Sequence, residues 1–247
     1  MNNQVTKAIQ NFLSQYNKVE NYVGSMLVGS YATNNNNEFS DVDIYIIVND
    51  LKNEFRRGCK EVDNYWFEYF IANPAQVKNQ IEHELSQNKK VTARKFTTGK
   101  ILECSGNDLV DLINFSNEFI LKDFSKPENN WILEKKSSVF LRLDELRCSE
   151  NTHNFYFVYF NSLMDLANIY NIFSQEELIH KTKILKIYED PEFRNNYGMK
   201  IISDVKYIDL FIKCVNFPTY KNIEEISFYV LSKMGDFEEF EIIKEVF

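Results

Sequence analysis

The chain has 247 residues, 44% of them hydrophobic and 26% charged, with a net charge of -8. That length is enough for one large domain or two small ones, and the acidic balance argues against a nucleic-acid backbone as the main partner, because such proteins carry a basic face. No run of about 18 apolar residues is present to span a membrane. Met1-Asn2-Asn3-Gln4 lacks the basic and apolar regions of a secretory leader. Cys59, Cys104, Cys148 and Cys214 are scattered with no Cys-x-x-Cys pair, so neither a zinc site nor a disulfide framework is expected and a cytoplasmic location is.

In chain order, Val5, Ile9, Leu13 and Tyr16 recur at helical spacing. Tyr22 to Val28 reads as a strand that ends at Gly29-Ser30. A helical turn and a polar loop follow, through the run Asn34–Asn37. Asp41 to Val48 is a second strand. Residues 50–62 are mixed, with Gly58 as a break, and Tyr65 to Ile71 is a third strand. Asn73-Pro74 opens a helix to about Ser86, since proline suits the first helical position. A short helix over Thr92–Thr98, a stop at Gly99 and a brief edge strand over Lys100–Cys104 precede a helix from Leu109 to Leu121. Phe124-Ser125-Lys126-Pro127 is the expected boundary. Beyond it the pattern is of amphipathic helices, broken near Ser149, Phe173-Ser174, Asp190-Pro191, Tyr197-Gly198 and Asn216-Phe217-Pro218. The predicted fold is α+β: a small mixed sheet with flanking helices over residues 1–124, and a helical bundle over 125–247.

Asp41-Val42-Asp43 holds the clearest chemistry. Side chains on a strand alternate with period two, so the two carboxylates share a face while Val42, Ile44, Ile46 and Val48 take the other. Two adjacent anions repel unless a cation lies between them, and hard oxygen donors at this spacing suit Mg²⁺ with substrate phosphates. Gly29-Ser30 offers backbone N–H groups and a hydroxyl to the same phosphates. Read without the rest, Asp41 and Asp43 fit equally well as acids capping a surface strand, and Gly29-Ser30 as an ordinary strand-to-helix turn.

Gly29-Ser30 followed by Asp41-x-Asp43, with a further acid one strand later, resembles the nucleotidyltransferases of the DNA polymerase β superfamily, especially the small enzymes that modify aminoglycoside and lincosamide antibiotics. The resemblance covers roughly the first 110 residues. Its third carboxylate falls on Glu68, the only charge in Tyr65-Trp66-Phe67-Glu68-Tyr69-Phe70-Ile71. Glu61 and Asp63 are nearby, but they precede the strand. The resemblance implies that Asp41, Asp43 and Glu68 are catalytic and hold Mg²⁺, as two ions about 3.5–4 Å apart, with Mn²⁺ as an alternative. It implies that Gly29 and Ser30 bind the nucleotide. Lys181 and Lys183, after the apparent capping box Ser174-x-x-Glu177, are candidates to reach the triphosphate, with a solvated helix face as the plainer reading. Arg94 and Lys95 share that ambiguity. Tyr156, Phe157, Tyr159 and Phe160 read as core. Asp144, Glu145 and Asp165 are candidates for the general base.

The implied function is transfer of a nucleoside monophosphate, AMP from ATP, to a hydroxyl of a small molecule such as an antibiotic, conferring resistance. No nucleic-acid or membrane partner is expected. Rival readings are a nucleotidyltransferase that modifies a protein or RNA, and an inactive NTP-binding regulatory module.

Overall fold

The structure is a computed structural model that describes residues 3–18, 21–49, 54–200 and 202–235. The expected sequence features at 1–2, 50–53 and 236–247 lie outside these residues. In chain order the elements are α1 (Asn3–Leu13), β1 (Tyr22–Val28), α2 (Gly29–Thr33), β2 (Val42–Val48), β3 (Arg56–Val62), β4 (Tyr65–Ala72), α3 (Pro74–Ser86), α4 (Val91–Thr98), β5 (Lys100–Cys104) and α5 (Asp108–Leu121). There follow α6 (Asn129–Ser149), α7 (Phe155–Phe173), α8 (Ile184–Glu189), α9 (Pro191–Tyr197), α10 (Val205–Asn216) and α11 (Tyr220–Lys233). The chain is α+β: a mixed five-stranded sheet with helices, then a helical region. No helix among the described residues is long and apolar enough to cross a membrane.

The chain contacts divide into two compact units. The first comprises Met1–Asp123 with Asp190–Lys200, and the second Phe124–Glu189 with Ile201–Phe247. The short α9 therefore groups with the sheet, although its sequence lies within the helical stretch. Buried Arg94 of α4 donates to the Gly198 carbonyl, its guanidinium lies 5.1 Å from the Tyr197 ring centre, and Asn35 Nδ2 donates to Phe193 O at 3.1 Å.

In the first unit the strand order is β3-β4-β2-β1-β5. β2 and β4 run parallel and the other pairs are antiparallel. Both sheet faces are covered, so β1 and β2 are buried nearly throughout. On one face α1 packs Val5, Ala8, Ile9, Phe12 and Leu13 against Leu27, Val42, Ile44, Ile46 and Phe67. On the other, residues from α3, α4 and α5 enclose Met26, Val28, Tyr45, Ile47 and Phe70. α3 starts in a reciprocal cap: Asn73 accepts from the Gln76 amide and Gln76 from the Asn73 amide.

Two sequence expectations change here. Residues 56–62 form the strand β3, with Gly58 in its middle. The glycine is a place of close approach: a Cβ on Gly58 would lie 2.2 Å from Tyr69 Cζ across the ladder, and Gly58 pairs with Tyr69. β4, expected to be the third strand, is the fourth, and it is an interior strand.

The second unit packs around Tyr159 and Tyr207. Tyr207 stacks on Tyr170 with ring centres 3.6 Å apart, and the Tyr159 hydroxyl donates to Cys214 O at 2.9 Å. The aromatic run on α7 is not all core. Tyr159 is fully buried, while Tyr156, Phe157 and Phe160 are 60%, 72% and 41% exposed, because α7 buries the stripe through Tyr159, Leu163, Leu166 and Tyr170 and turns these three away from it.

Candidate metal centre

Backbone geometry places each acid. Asp43 is the second residue of β2 and sits in the parallel ladder directly opposite Glu68 of β4. Asp41 immediately precedes the strand. One carboxylate oxygen each from Asp41, Asp43 and Glu68 lies within 4.8 Å of the others. Asp41 is exposed and the other two are partly buried. The three carboxylates singled out in the sequence thus stand together.

Gly29 begins α2, where β1 ends opposite Asp43. Its φ is +68°, and a Cβ there would lie 2.0 Å from Asp43 Oδ2. Left-handed backbone favours glycine in any case, but the contact adds a second demand: the backbone must come within touching distance of a carboxylate. Ser30 follows in the first turn. α2 is a five-residue helical turn that buries Ala32 and Thr33 and ends at Asn34 in the left-handed conformation.

The electrostatics are those of clustered acids only partly neutralised by their cations. Burial pushes the Asp43 carboxyl up from 3.8 to about 7. Lys95 offsets part of that shift, and Asp41 and Glu68 add to it. Glu68 is held from the far side: Arg57 of β3 donates Nε–H to Glu68 Oε1 at 2.7 Å and Nη2–H to the same oxygen. Arg57 also lies over Phe70, 5.5 Å from its ring centre. The donor set is all oxygen, the arrangement is compact, and the most buried member is short of counter-charge. These are the properties of a hard divalent-cation site, so the residues fit such an ion.

Lys181 and Lys183 belong to the second unit, in a turn before α8. The expected helix start at Ser174-x-x-Glu177 is absent. Ser174 instead closes α7, its amide bonding to Tyr170 O at 2.9 Å, and residues 176–180 have no regular structure. Asn171 Nδ2 donates to Glu177 O at 3.1 Å, and the Glu176 amide donates to Asn171 O at 2.7 Å, so the segment is tied back to the end of α7 where a helix start was expected. Among the candidate bases, Asp165 is paired with Arg142 at 2.5 Å, and Asp144 and Glu145 are exposed.

In the sequence nothing separates Lys95 from Arg94. Arg94 is buried against the α9 segment, while Lys95 turns to the sheet face that carries Asp43 and Glu68, the charges that act on it most strongly after its own burial. The available signal was the pair itself, since adjacent helical positions point about 100° apart.

A search of curated proteins finds no match to the chain. Ten solved chains match, among them a nucleotidyltransferase-like protein from Exiguobacterium sibiricum 255-15. It is 14% identical with a TM-score of 0.44, over 93% of this chain and 74% of that one. Residues 7–105 match the family model described as "Nucleotidyltransferase domain". That span runs from within α1 to just past β5 and contains Gly29, Ser30, Asp41, Asp43 and Glu68. Residues 7–105 thus carry a nucleotidyltransferase domain, which supports a transferase of phosphorus-containing groups.

Proposed function

We propose that the chain transfers a nucleoside monophosphate, AMP from ATP, to a hydroxyl of a small molecule and releases pyrophosphate. The observation that carries this reading is the convergence of Asp41, Asp43 and Glu68 oxygens within 4.8 Å. We take the ion they hold to be Mg²⁺, as two ions, with Mn²⁺ as the alternative. A divalent ion bound there supplies Lewis acidity at phosphoryl oxygens and lowers the pKa of an attacking hydroxyl.

The remaining work falls to positioning. Gly29 lets the backbone turn against Asp43, so that the amides of the first α2 turn and the Ser30 hydroxyl meet the β- and γ-phosphates. Lys181 and Lys183 enter the reading as further triphosphate contacts, on charge alone. In the reaction the acceptor oxygen bonds to the α-phosphorus and the bond from that phosphorus to the bridging oxygen breaks. The hydroxyl proton passes to a carboxylate or to solvent, and pyrophosphate leaves. Arg57 keeps Glu68 oriented through this exchange.

The choice of acceptor is supported by resemblance and charge. An antibiotic such as an aminoglycoside is cationic, and a chain of net charge -8 attracts it; the same balance disfavours a nucleic-acid acceptor. The four cysteines are free thiols, which suits the reducing cytoplasm where NTPs are plentiful. The test is pyrophosphate release with each of the four NTPs against a panel of antibiotics and other polyols, with Mg²⁺ or with EDTA. Metal-dependent release with one acceptor class is expected, and Asp41→Asn or Asp43→Asn should reduce it by at least about 10²-fold. Full activity in either variant refutes the assignment.

A further inference from the structure

Lys95 leaves α4 toward the carboxylates. Its ammonium lies 3.9 Å from the centre of the Phe70 ring and 6.0 Å from that of Tyr45. The two rings stack on each other, 5.1 Å apart and 17° from parallel. The ladder pairs Asp43 with Glu68 and Tyr45 with Phe70, and period two puts all four side chains on one face. The aromatic pair is thus the next rung along the face that carries the carboxylates, and Lys95 stands on it.

A ring face holds a cation by its quadrupole but accepts no strong hydrogen bond. The ammonium has three donors, and among the described residues it makes no hydrogen bond or ion pair. Arg57, the other cation over Phe70, is by contrast committed to Glu68. A partly buried ammonium with idle donors is costly, and it is placed to receive an oxygen that a ligand brings.

Which oxygen follows from the order across the sheet. Gly29-Ser30 stands at the end of β1, Asp43 on β2 and Glu68 on β4, on three neighbouring strands. Under the transferase reading, on which this inference rests, the β- and γ-phosphates lie at Gly29-Ser30 and the reacting phosphorus lies at the carboxylates. Lys95 is at the Asp43–Glu68 side of that line. We propose that Lys95 is a catalytic residue whose ammonium donates to a non-bridging oxygen of the α-phosphoryl group. It remains protonated throughout, and no bond to it forms or breaks. It supplies a fixed positive charge where the phosphoryl group is transferred.

The test needs no acceptor. Binding of each nucleoside monophosphate and of inorganic pyrophosphate is measured by calorimetry in Mg²⁺ for the wild type, Lys95→Met and Lys95→Arg. Methionine keeps an unbranched stem over Phe70, and a thermal melt of each variant checks that it is folded. A monophosphate carries only the α-phosphoryl, whereas pyrophosphate carries only the part assigned to Gly29-Ser30. The expected result is at least a tenfold loss of monophosphate affinity in Lys95→Met, pyrophosphate affinity within about twofold of wild type, and partial recovery in Lys95→Arg, as follows from loss of a charged hydrogen bond. Equal losses for both ligands, or no loss for either, overturn the proposal while leaving the transferase reading in place. A wild type that binds neither ligand in Mg²⁺ overturns both.

Discussion

Asp43 carries the electrostatic tension of the sheet unit. Burial is the main reason its carboxyl is pushed to about 7, with Lys95 opposing and Asp41 and Glu68 contributing. The folded-state value is above the ordinary 3.8 of an unfolded chain, so the folded form binds this proton more tightly. The associated stability is complete below about pH 4 and is lost as the pH rises through 7. Each pH unit inside that window corresponds to about 1.4 kcal/mol for a single independent group. Asp43→Asn substitutes a neutral group of the same shape. In EDTA the variant is expected to melt higher than wild type at pH 8, by on the order of 10 °C for a chain of this size, and to lose most of that advantage by pH 5 and the rest by about pH 4. Thermal melts at the two pH values check this; a gap that does not change with pH refutes it. The acids were legible in the sequence because strand alternation fixes their face regardless of what packs above. Lys95 was not, because its direction depends on how α4 docks. Arg94 and Lys95 are neighbours of like charge, and only the burial of Arg94 at the Gly198 carbonyl separates them.

At the scale of the element, most of the helices and strands follow from local signals, and those that do not share a physical cause. β3 was obscured because Arg56-Arg57-Gly58-Cys59-Lys60-Glu61-Val62 has almost no apolar face. It is an edge strand, largely exposed, held by its ladder to β4 and by the space Gly58 leaves for Tyr69. The apparent capping box at Ser174 failed because a cap needs a helix stabilised by tertiary packing, and here Asn171 ties the segment back to the end of α7 instead. The α10 cap went unremarked in the sequence. Asp204 accepts from the Tyr207 amide at 3.1 Å, from the Tyr170 hydroxyl at 2.9 Å and from Tyr229 at 2.7 Å, with Lys233 at 3.3 Å. Burial resists its ionisation, but these partners outweigh it and hold the carboxyl at about 2. The cap therefore contributes above about pH 4 and weakens only as the pH falls toward 2. Asp204→Ala removes the cap and leaves two tyrosine hydroxyls without their acceptor, for a loss of about 2–3 kcal/mol. Urea melts at pH 7 measure it, and a change under 0.5 kcal/mol, the typical limit for an ordinary surface site, would show the network to be idle.

At the scale of the whole molecule, the residues proposed for the metal and the transferred phosphoryl group belong to the first compact unit: Asp41 just before β2, Asp43 on β2, Glu68 on β4 and Lys95 on α4, with Gly29 and Ser30 on α2. Binding there is linked to the unfolding of that unit. A ligand that binds only the folded form stabilises it by about 2.7 kcal/mol at 100 times its Kd, which for a chain this long raises Tm by roughly 5–10 °C. The carboxylates repel a bare triphosphate, so the linkage requires a divalent ion to be present. Differential scanning calorimetry with NTP in Mg²⁺ should therefore show an upward shift that disappears in EDTA. Asp41→Asn, which removes one oxygen donor from an exposed position and so leaves packing intact, should abolish the shift without lowering the ligand-free Tm. Because the chain has two compact units, unfolding need not be a single transition. If two are resolved, only the one that responds to Asp43→Asn should move with nucleotide. A shift of equal size in EDTA and in Mg²⁺, or one that survives in Asp41→Asn, would mean that the nucleotide binds without the carboxylate cluster, and the metal assignment would fall.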